Sequence, residues 1–457
     1  MSRERLGSRL GFILLSAGCA IGIGNVWKFP WMVGQYGGAI FVLMYIACLV
    51  VLGVPVMTME FAVGRAAQRS PSLMFQQLEK KGSKWHWHGI VCLAGSMILM
   101  MFYTNVSGWM MQYFVKTATG RFEGLDTEAV NSEFGAMLGD PVWQTVFMAV
   151  AVIVGIMVCM LGVQKGLERV TKVLMVALLV LMVVIAVNSI FLDGAAEGLR
   201  FYLVPNPDNI KEAGIFNVIV AAMNQAFFTL SLGIGSMAIF GSYLGKDRAL
   251  MGEAVNVAVL DTFVAFTSGL IIFPACFAYG VNPGAGPALI FQTLPNVFNN
   301  MPLGRLWGSL FFVFMSFAAL STVLAVFVTI IACGMDLPNW SRKKACVIVG
   351  IGMLVLSMPC VLGYNLWSAF APFGEGTAVL DLEDFVVSNL LLPLGALVFT
   401  LFCVTRYGWG WKNFMAEANT GKGLKVRPWM RWVMTIAIPI IILVIFIMGL
   451  ITFDFSR

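Results

Sequence analysis

The sequence predicts an all-α integral membrane protein with eleven transmembrane helices in a single domain, residues 1–457. Of the 457 residues, 59% are hydrophobic and only 11% are charged, whereas soluble domains carry about 25% charged residues. Uncharged stretches such as 173–192 and 432–453 recur along the whole chain. About 20 apolar residues cross a bilayer as a helix, which satisfies its own backbone hydrogen bonds. This recurrence argues against a soluble enzyme with buried core helices.

The spans follow from these uncharged stretches, and the lipid bilayer is the first predicted partner. Lys28 and Pro30 interrupt the first span, which is also too long for a cleavable signal peptide. The predicted spans are 10–35, 39–64, 88–117, 143–162, 172–193, 213–242, 251–280, 305–333, 345–363, 384–404 and 431–453.

The basic residues of the loops predict the orientation. With eleven spans, 22 of the 29 lysines and arginines lie on the N-terminal side, six lie on the other side, and Lys28 lies inside a span. Cytoplasmic loops carry such an excess, so we expect a cytoplasmic N-terminus and an external C-terminus. The expected location is a prokaryotic inner (plasma) membrane. The net charge of +6 therefore reflects topology and does not indicate nucleic-acid binding. No nucleotide-binding loop, zinc-protease motif or nucleophile elbow occurs, so we expect no enzyme.

Two predicted spans are interrupted near their middles, at residues 17–25 (AGCAIGIGN) and 229–235 (TLSLGIG). Glycine weakens a helix, and the two interruptions lie five spans apart. This spacing predicts two five-helix repeats, about 10–193 and 213–404, followed by an extra helix at about 431–453. Paired broken helices are typical of secondary transporters, because the freed carbonyls bind cations and the half-helix N-termini face anionic groups.

Five motifs, in this order along the chain, resemble the neurotransmitter:sodium symporter family. The resemblance covers nearly the whole chain and implies a LeuT-like fold with discontinuous helices 1 and 6. It also implies sodium-coupled symport of a small amino acid by alternating access. The motifs are GNVWKFPWMVGQYGGAIF (24–41), AFFTLSLGIGSM (226–237), ALIFQTLPNVF (288–298), FAALST (317–322) and LPLG (392–395).

The resemblance implies two Na⁺ sites built from oxygen ligands, which suit a hard cation. The first would use the Ala20 carbonyl and the side chains of Asn25, Thr229 and Asp261. The second would use the carbonyls of Gly18, Ile21 and Ala318 and the hydroxyls of Ser321 and Thr322. The alternative for the two hydroxyls is bonding to the preceding turn of their own helix.

Asp261 lies within an apolar run, and carboxylates inside a membrane are functional by default. Some family members bind chloride beside the first sodium, and others replace it with a fixed carboxylate. We expect Asp261 to take that role and transport to be independent of chloride, because position 265 is alanine. Protonation of Asp261 on the return step is a further expectation. Glu60 is interpreted as structural, with proton coupling as the alternative.

The substrate pocket that the resemblance implies has groups for the carboxylate, the amine and the side chain. Gly22 stands where monoamine carriers of the family have an aspartate, which favours a substrate with its own carboxylate. The apolar lining favours a hydrophobic or aromatic amino acid, and plain helix packing is the alternative for each residue. The groups are Ile23, Gly24 and Tyr103 for the carboxylate; Ala20, Phe228, Thr229 and Ser231 for the amine; and Leu99, Phe228, Ile234, Thr322 and Val326 for the side chain.

Two ion pairs would close the pocket, Lys28 with Asp384 on the outside and Arg3 with Asp336 on the inside. Two other functions stay open at this point. One is a proton-coupled amino-acid permease on a similar fold. The other is a transport-silent amino-acid sensor.

Overall fold

The computed structural model describes residues 6–208, 214–280, 289–451 and 453, and their regular structure is helical. Within these residues, nine helices are long and apolar enough to cross a membrane. They are Ala39–Ala67, His86–Ala118, Pro141–Met160, Gly166–Ile190, Leu250–Ala278, Gly304–Asp336, Arg342–Leu362, Val379–Val404 and Met430–Ile451.

Two further apolar segments are broken. The first broken segment comprises Arg9–Ala20 and Gly24–Gln35, which meet at an angle of 55° and together are long enough for a tenth crossing. The second broken segment comprises the short apolar helix Ile215–Thr229 and, after residues 230–235, Ser236–Gly241. Counting both as crossings would give the predicted eleven, which remains a prediction.

Most predicted ends lie within three residues of the observed ones. The two larger differences are the starts of the fifth and tenth spans, at Gly166 and Val379, where 172 and 384 were predicted. Both spans begin with charged residues that the prediction left outside. Glu168 and Glu383 are nevertheless buried, at 5% and 6% exposure. Tertiary packing, which a composition argument does not see, therefore extends these helices.

Prolines explain most of the wide, π-type turns inside the long helices. Proline has no N–H to donate and crowds the preceding turn, so a locally wider turn relieves the helix. Five such turns end two residues before a proline, namely Gly24–Lys28, Leu49–Gly53, Leu289–Thr293, Val386–Leu391 and Val433–Ala437.

The long helices divide into central and peripheral ones. Gly304–Asp336 packs along His86–Ala118 and contacts Arg9–Ala20. In its most apolar stretch, 83% of residues are buried within the protein, against 22% for Met430–Ile451. The candidate site therefore lies among the two broken segments and the central helices, and the last helix is appended at the periphery.

Two of the connections between the predicted spans contain helices, Thr127–Gly139 and Trp411–Ala418. Asp126 caps the first by accepting the Ala129 N–H at 2.8 Å. The second is held by the buried guanidinium of Arg65, whose Nε lies 2.6 Å from the Glu417 carboxylate. This pair attaches the last connection to the end of Ala39–Ala67.

Candidate functional site

The break in the first broken segment removes backbone groups from helical pairing. The Ile21 N–H still donates to the Ala17 carbonyl at 2.6 Å. Beyond it, the Gly22 N–H donates instead to the Asn25 side-chain oxygen at 3.1 Å. A Cβ at Gly22 would collide with the hydroxyls of Tyr103 and Thr322. Glycine therefore lets the turn approach both neighbouring helices.

The second break has left-handed backbone at Ser231 (φ 49°), Gly233 (φ 97°) and Gly235 (φ 76°). Glycine adopts this conformation without a steric penalty, and a Cβ at Gly233 would also overlap the Leu392 carbonyl. The Gly233 N–H donates to Glu60 Oε1 at 2.6 Å. Glu60 thus satisfies a backbone donor that the break leaves without a helical partner.

Asp261 collects three hydrogen bonds where the two breaks meet. Its Oδ1 accepts the Asn25 side-chain amide at 2.8 Å and the Thr229 hydroxyl at 3.0 Å. Its Oδ2 accepts the Tyr45 hydroxyl at 2.9 Å. Asp261 is fully buried, and the salt bridges within the described ranges do not include it. Asn25, Tyr45, Thr229 and Asp261 are called the Asp261 cluster below.

The Asp261 cluster contains three of the four residues predicted for the first cation site. The fourth, Ala20, lines the same central cavity as Thr229. A buried carboxylate without a cationic partner is costly, and a cation bound here would supply that partner. The hydroxyl of Tyr45, which was not among the predicted cation ligands, bonds directly to Asp261.

The five residues predicted for the second cation site also come together. Ser321 Oγ donates to the Ala318 carbonyl at 2.8 Å and the Ile21 carbonyl at 3.2 Å. Thr322 Oγ1 donates to the carbonyls of Gly18 at 3.3 Å and Ile21 at 3.5 Å. The back-bonding alternative thus describes part of the Ser321 geometry, whereas Thr322 reaches across to the first broken segment. These five residues are called the hydroxyl cluster.

A small central cavity of about 20 Å³ lies between the two clusters. The Ile23 N–H donates to the Tyr103 hydroxyl at 2.9 Å, which orients Tyr103 at the first break. Eight residues predicted for the substrate line this cavity: Ala20, Gly24, Leu99, Tyr103, Phe228, Thr229, Ser231 and Thr322.

The cavity lining differs in part from the prediction. Ile23, Ile234 and Val326 are buried but are not among the lining residues. The substrate contacts of all eleven residues stay predictions. The Ile234 side chain instead faces Gly95 of the third span. Cys19, Val387 and Leu392 line the cavity and were not predicted. The LPLG motif begins at Leu392, so a signal was present but carried no assigned role.

A vestibule of about 320 Å³ lies above the central cavity. Tyr103 and Phe228 line both spaces and so separate them. Lys28 Nζ lies 3.6 Å from Asp384 Oδ2 and 4.0 Å from the centre of the Phe228 ring. The predicted outer pair, Lys28 and Asp384, is therefore in contact on the vestibule side of Tyr103 and Phe228.

On the opposite side, Asp336 accepts the Ser70 N–H at 2.6 Å and lies 3.9 Å from Arg69. Its predicted partner, Arg3, lies outside the described residues. Arg9 pairs with Glu253 at 2.9 Å, and Glu168 accepts the Gly7 N–H at 2.7 Å. These contacts tie the start of the first broken segment to two neighbouring helices.

Known proteins resemble this chain over its full length. The family model described as the sodium:neurotransmitter symporter family matches residues 3–134 and 127–457. An uncharacterized sodium-dependent transporter of Bacillus subtilis, YhdH, is 34% identical over 98% of both chains. An uncharacterized sodium-dependent transporter of Haemophilus influenzae is 30% identical over 98% of both chains. The crystal structure of MhsT in complex with L-phenylalanine matches with a TM-score of 0.87 and 36% identity, covering 98% of this chain and 100% of that one.

Proposed function

Because the chain belongs to the sodium:neurotransmitter symporter family, we propose that it couples sodium entry to the uptake of a hydrophobic or aromatic amino acid. It is a multi-pass, sodium-dependent membrane transporter, and its family consists of transporters rather than enzymes. The predicted all-helical, LeuT-like fold is confirmed. The proposal concerns the substrate, the number of sodium ions, chloride and the orientation.

The observation that carries the proposal is the buried Asp261 cluster beside the central cavity. A sodium ion between the Ala20 carbonyl, Asn25, Thr229 and Asp261 would meet oxygen ligands and a fixed negative charge. An amino-acid carboxylate at the Ile23 and Gly24 amides would lie next to the same ion. Sodium and substrate then stabilise each other, which is a coupling free energy between two sites.

Chloride independence is supported by the Tyr45 hydroxyl. It donates to Asp261 Oδ2 at 2.9 Å, so the group that could bind an anion here is engaged by a carboxylate. The charge that chloride supplies in other family members is then built into the chain. A second sodium, at the hydroxyl cluster, completes the proposed pair of cation sites.

The substrate class is supported by the cavity and by one relative. Gly22 lines the cavity and offers no charge to an amine, so the substrate brings its own carboxylate. Leu99, Phe228 and Val387 give the cavity apolar walls. The related MhsT has been crystallised with L-phenylalanine. We therefore propose phenylalanine, tryptophan or an aliphatic amino acid of similar size.

The proposed orientation puts the N-terminus in the cytoplasm, the vestibule outside, and the whole in a prokaryotic inner membrane. The basic residues of the loops support it. The first two helices of each repeat (spans 1, 2, 6 and 7) would rock against the other spans to expose the central cavity alternately. The pair Lys28–Asp384 would gate the outer side, and Arg3–Asp336 the inner side.

Uptake by proteoliposomes tests this function. Labelled phenylalanine and tryptophan should accumulate with an inward sodium gradient and not with choline, and tryptamine should not compete. Uptake driven by a proton gradient without sodium would indicate the permease alternative. Binding without uptake would indicate a sensor.

A further inference from the structure

Two adjacent carboxylates at the start of the tenth span have opposite surroundings. The Asp384 side chain is 35% exposed, lines the vestibule and pairs with Lys28. Glu383 is 6% exposed. Neither of its carboxyl oxygens has a hydrogen-bond partner among the described residues. Glu383 belongs to neither the Asp261 cluster nor the hydroxyl cluster.

Among the described residues, no cation offsets a negative charge on Glu383. Val379–Phe385 packs against His86–Ala118 and Met358–Leu362. Cys360 and Tyr364 interact electrostatically with Glu383 and with Asp381, which lies on the same helix as Glu383. All of these groups are acids. On the third span, Asn105 donates to Cys360 Sγ at 3.3 Å, and its own side-chain oxygen also lacks a partner.

An ionised carboxylate in this place would be a buried charge without a counter-charge, which is strongly unfavourable. A hard metal cation is a poor remedy, because it needs several oxygen ligands arranged around it. Here a thiol and a phenol are close instead. A proton neutralises the carboxylate with no further ligand and turns one oxygen into a donor.

The same helix forms a wall of the vestibule, since Leu380, Asp381 and Asp384 line that space. Any opening that moves this helix away from the third span admits water to Glu383, and a hydrated carboxylate ionises readily. The packing of the helix and the protonation of Glu383 are therefore linked.

We propose that Glu383 is a proton-binding site, and that closing of the outer vestibule is coupled to uptake of one external proton by this side chain. The proton-binding site rests on packing alone. Its coupling to vestibule closing rests on the proposed role of Lys28–Asp384 as the outer gate. By linkage, raising the external pH favours the open vestibule, by up to about tenfold in the open-to-closed ratio per pH unit.

Infrared difference spectroscopy tests the proton site on the purified full chain. Glu383→Gln keeps the shape of the neutral acid, and the matched control Glu375→Gln alters an exposed carboxylate in the preceding connection. A protonated-acid C=O band should be lost in the first variant and kept in the second. No loss of that band in Glu383→Gln would overturn the site.

A spin label at Leu380→Cys tests the coupling, because this position lines the vestibule. Its accessibility to an aqueous paramagnetic reagent should rise as external pH rises from mildly acidic to mildly alkaline. Adding Glu383→Gln should flatten that rise, and adding Glu375→Gln should not. Equal slopes in all three proteins would overturn the coupling. Neither measurement requires transport, so a failure here is distinct from a failure of the proposed symport.

Discussion

The Asp261 cluster and the hydroxyl cluster lie beside the same break, but they offer a cation different chemistry. The first contains a carboxylate that accepts three hydrogen bonds within the cluster. The second offers only carbonyl and hydroxyl dipoles, at donor–acceptor distances of 2.8–3.5 Å. A carboxylate attracts a cation by its charge, whereas neutral dipoles depend on their number and placement. The two proposed sites should therefore respond differently to mutation.

Neutralising the carboxylate should have the largest effect. Asp261→Asn keeps the size of the side chain but removes the fixed charge. We expect the apparent sodium affinity in chloride-free buffer to fall by about a hundredfold, since a buried ion that loses its partner costs about 3 kcal/mol or more. Sodium titration of amino-acid uptake measures this change.

Chloride provides the second arm of that experiment. If an anion can occupy the place of the lost charge, chloride should restore part of the activity of Asp261→Asn and not affect the unchanged protein. A variant with unaltered sodium affinity in gluconate would show that Asp261 does not balance a bound cation. The difference between the two clusters would then have no functional meaning.

Removing both hydroxyls of the second cluster should have a smaller effect. Ser321→Ala with Thr322→Ala deletes two dipoles and leaves three carbonyls. We expect the sodium requirement of the double variant to rise by roughly tenfold in all, the low end of the scale for losing a hydrogen bond to a charged group. The same sodium titration measures it, with thermal unfolding to verify that the protein is folded.

The same helix offers a matched control. Ser316 and Thr329 bond to the Phe312 and Ala325 carbonyls of their own helix, so their double alanine variant removes hydroxyls without touching the cluster. Its sodium requirement should be unchanged. If the two double variants behave alike, the effect belongs to helix packing and not to a cation site.

The smallest effect should come from Tyr45→Phe, which removes one of the three hydrogen bonds to Asp261. A single hydrogen bond to a buried group contributes about 1 kcal/mol, or roughly fivefold in affinity. Sodium affinity should shift by no more than about that factor. A loss as large as that of Asp261→Asn would indicate that Tyr45 contacts the ion or the substrate itself.

The sequence predicted the parts of this arrangement that depend on local chemistry. Apolar stretches indicated the spans, and glycines indicated both breaks. The family motifs then identified residues of both oxygen clusters that are distant in sequence. Two residues missed at the central cavity, Val387 and Leu392, come from the tenth span. The LPLG motif marks that helix at Leu392, but the motif does not show which face of the helix packs against the cavity.

The starts of the fifth and tenth spans were missed for a related reason. A charged residue at a helix start suggests a loop when only composition is considered. Glu168 is compensated by Lys172 at 2.7 Å, four residues along the same helix. Glu383 has no such partner among the residues that the structure describes. A sequence argument therefore placed it outside the membrane span, whereas packing buries it.

Replacing chloride by gluconate tests most directly the claim that a fixed carboxylate balances the sodium charge. Uptake of phenylalanine by proteoliposomes should be measured at saturating and limiting sodium, with chloride absent on both sides. The initial rate and the sodium requirement should equal those in chloride, because Asp261 supplies the negative charge permanently. A requirement for chloride in the unchanged protein would contradict the assignment of Asp261.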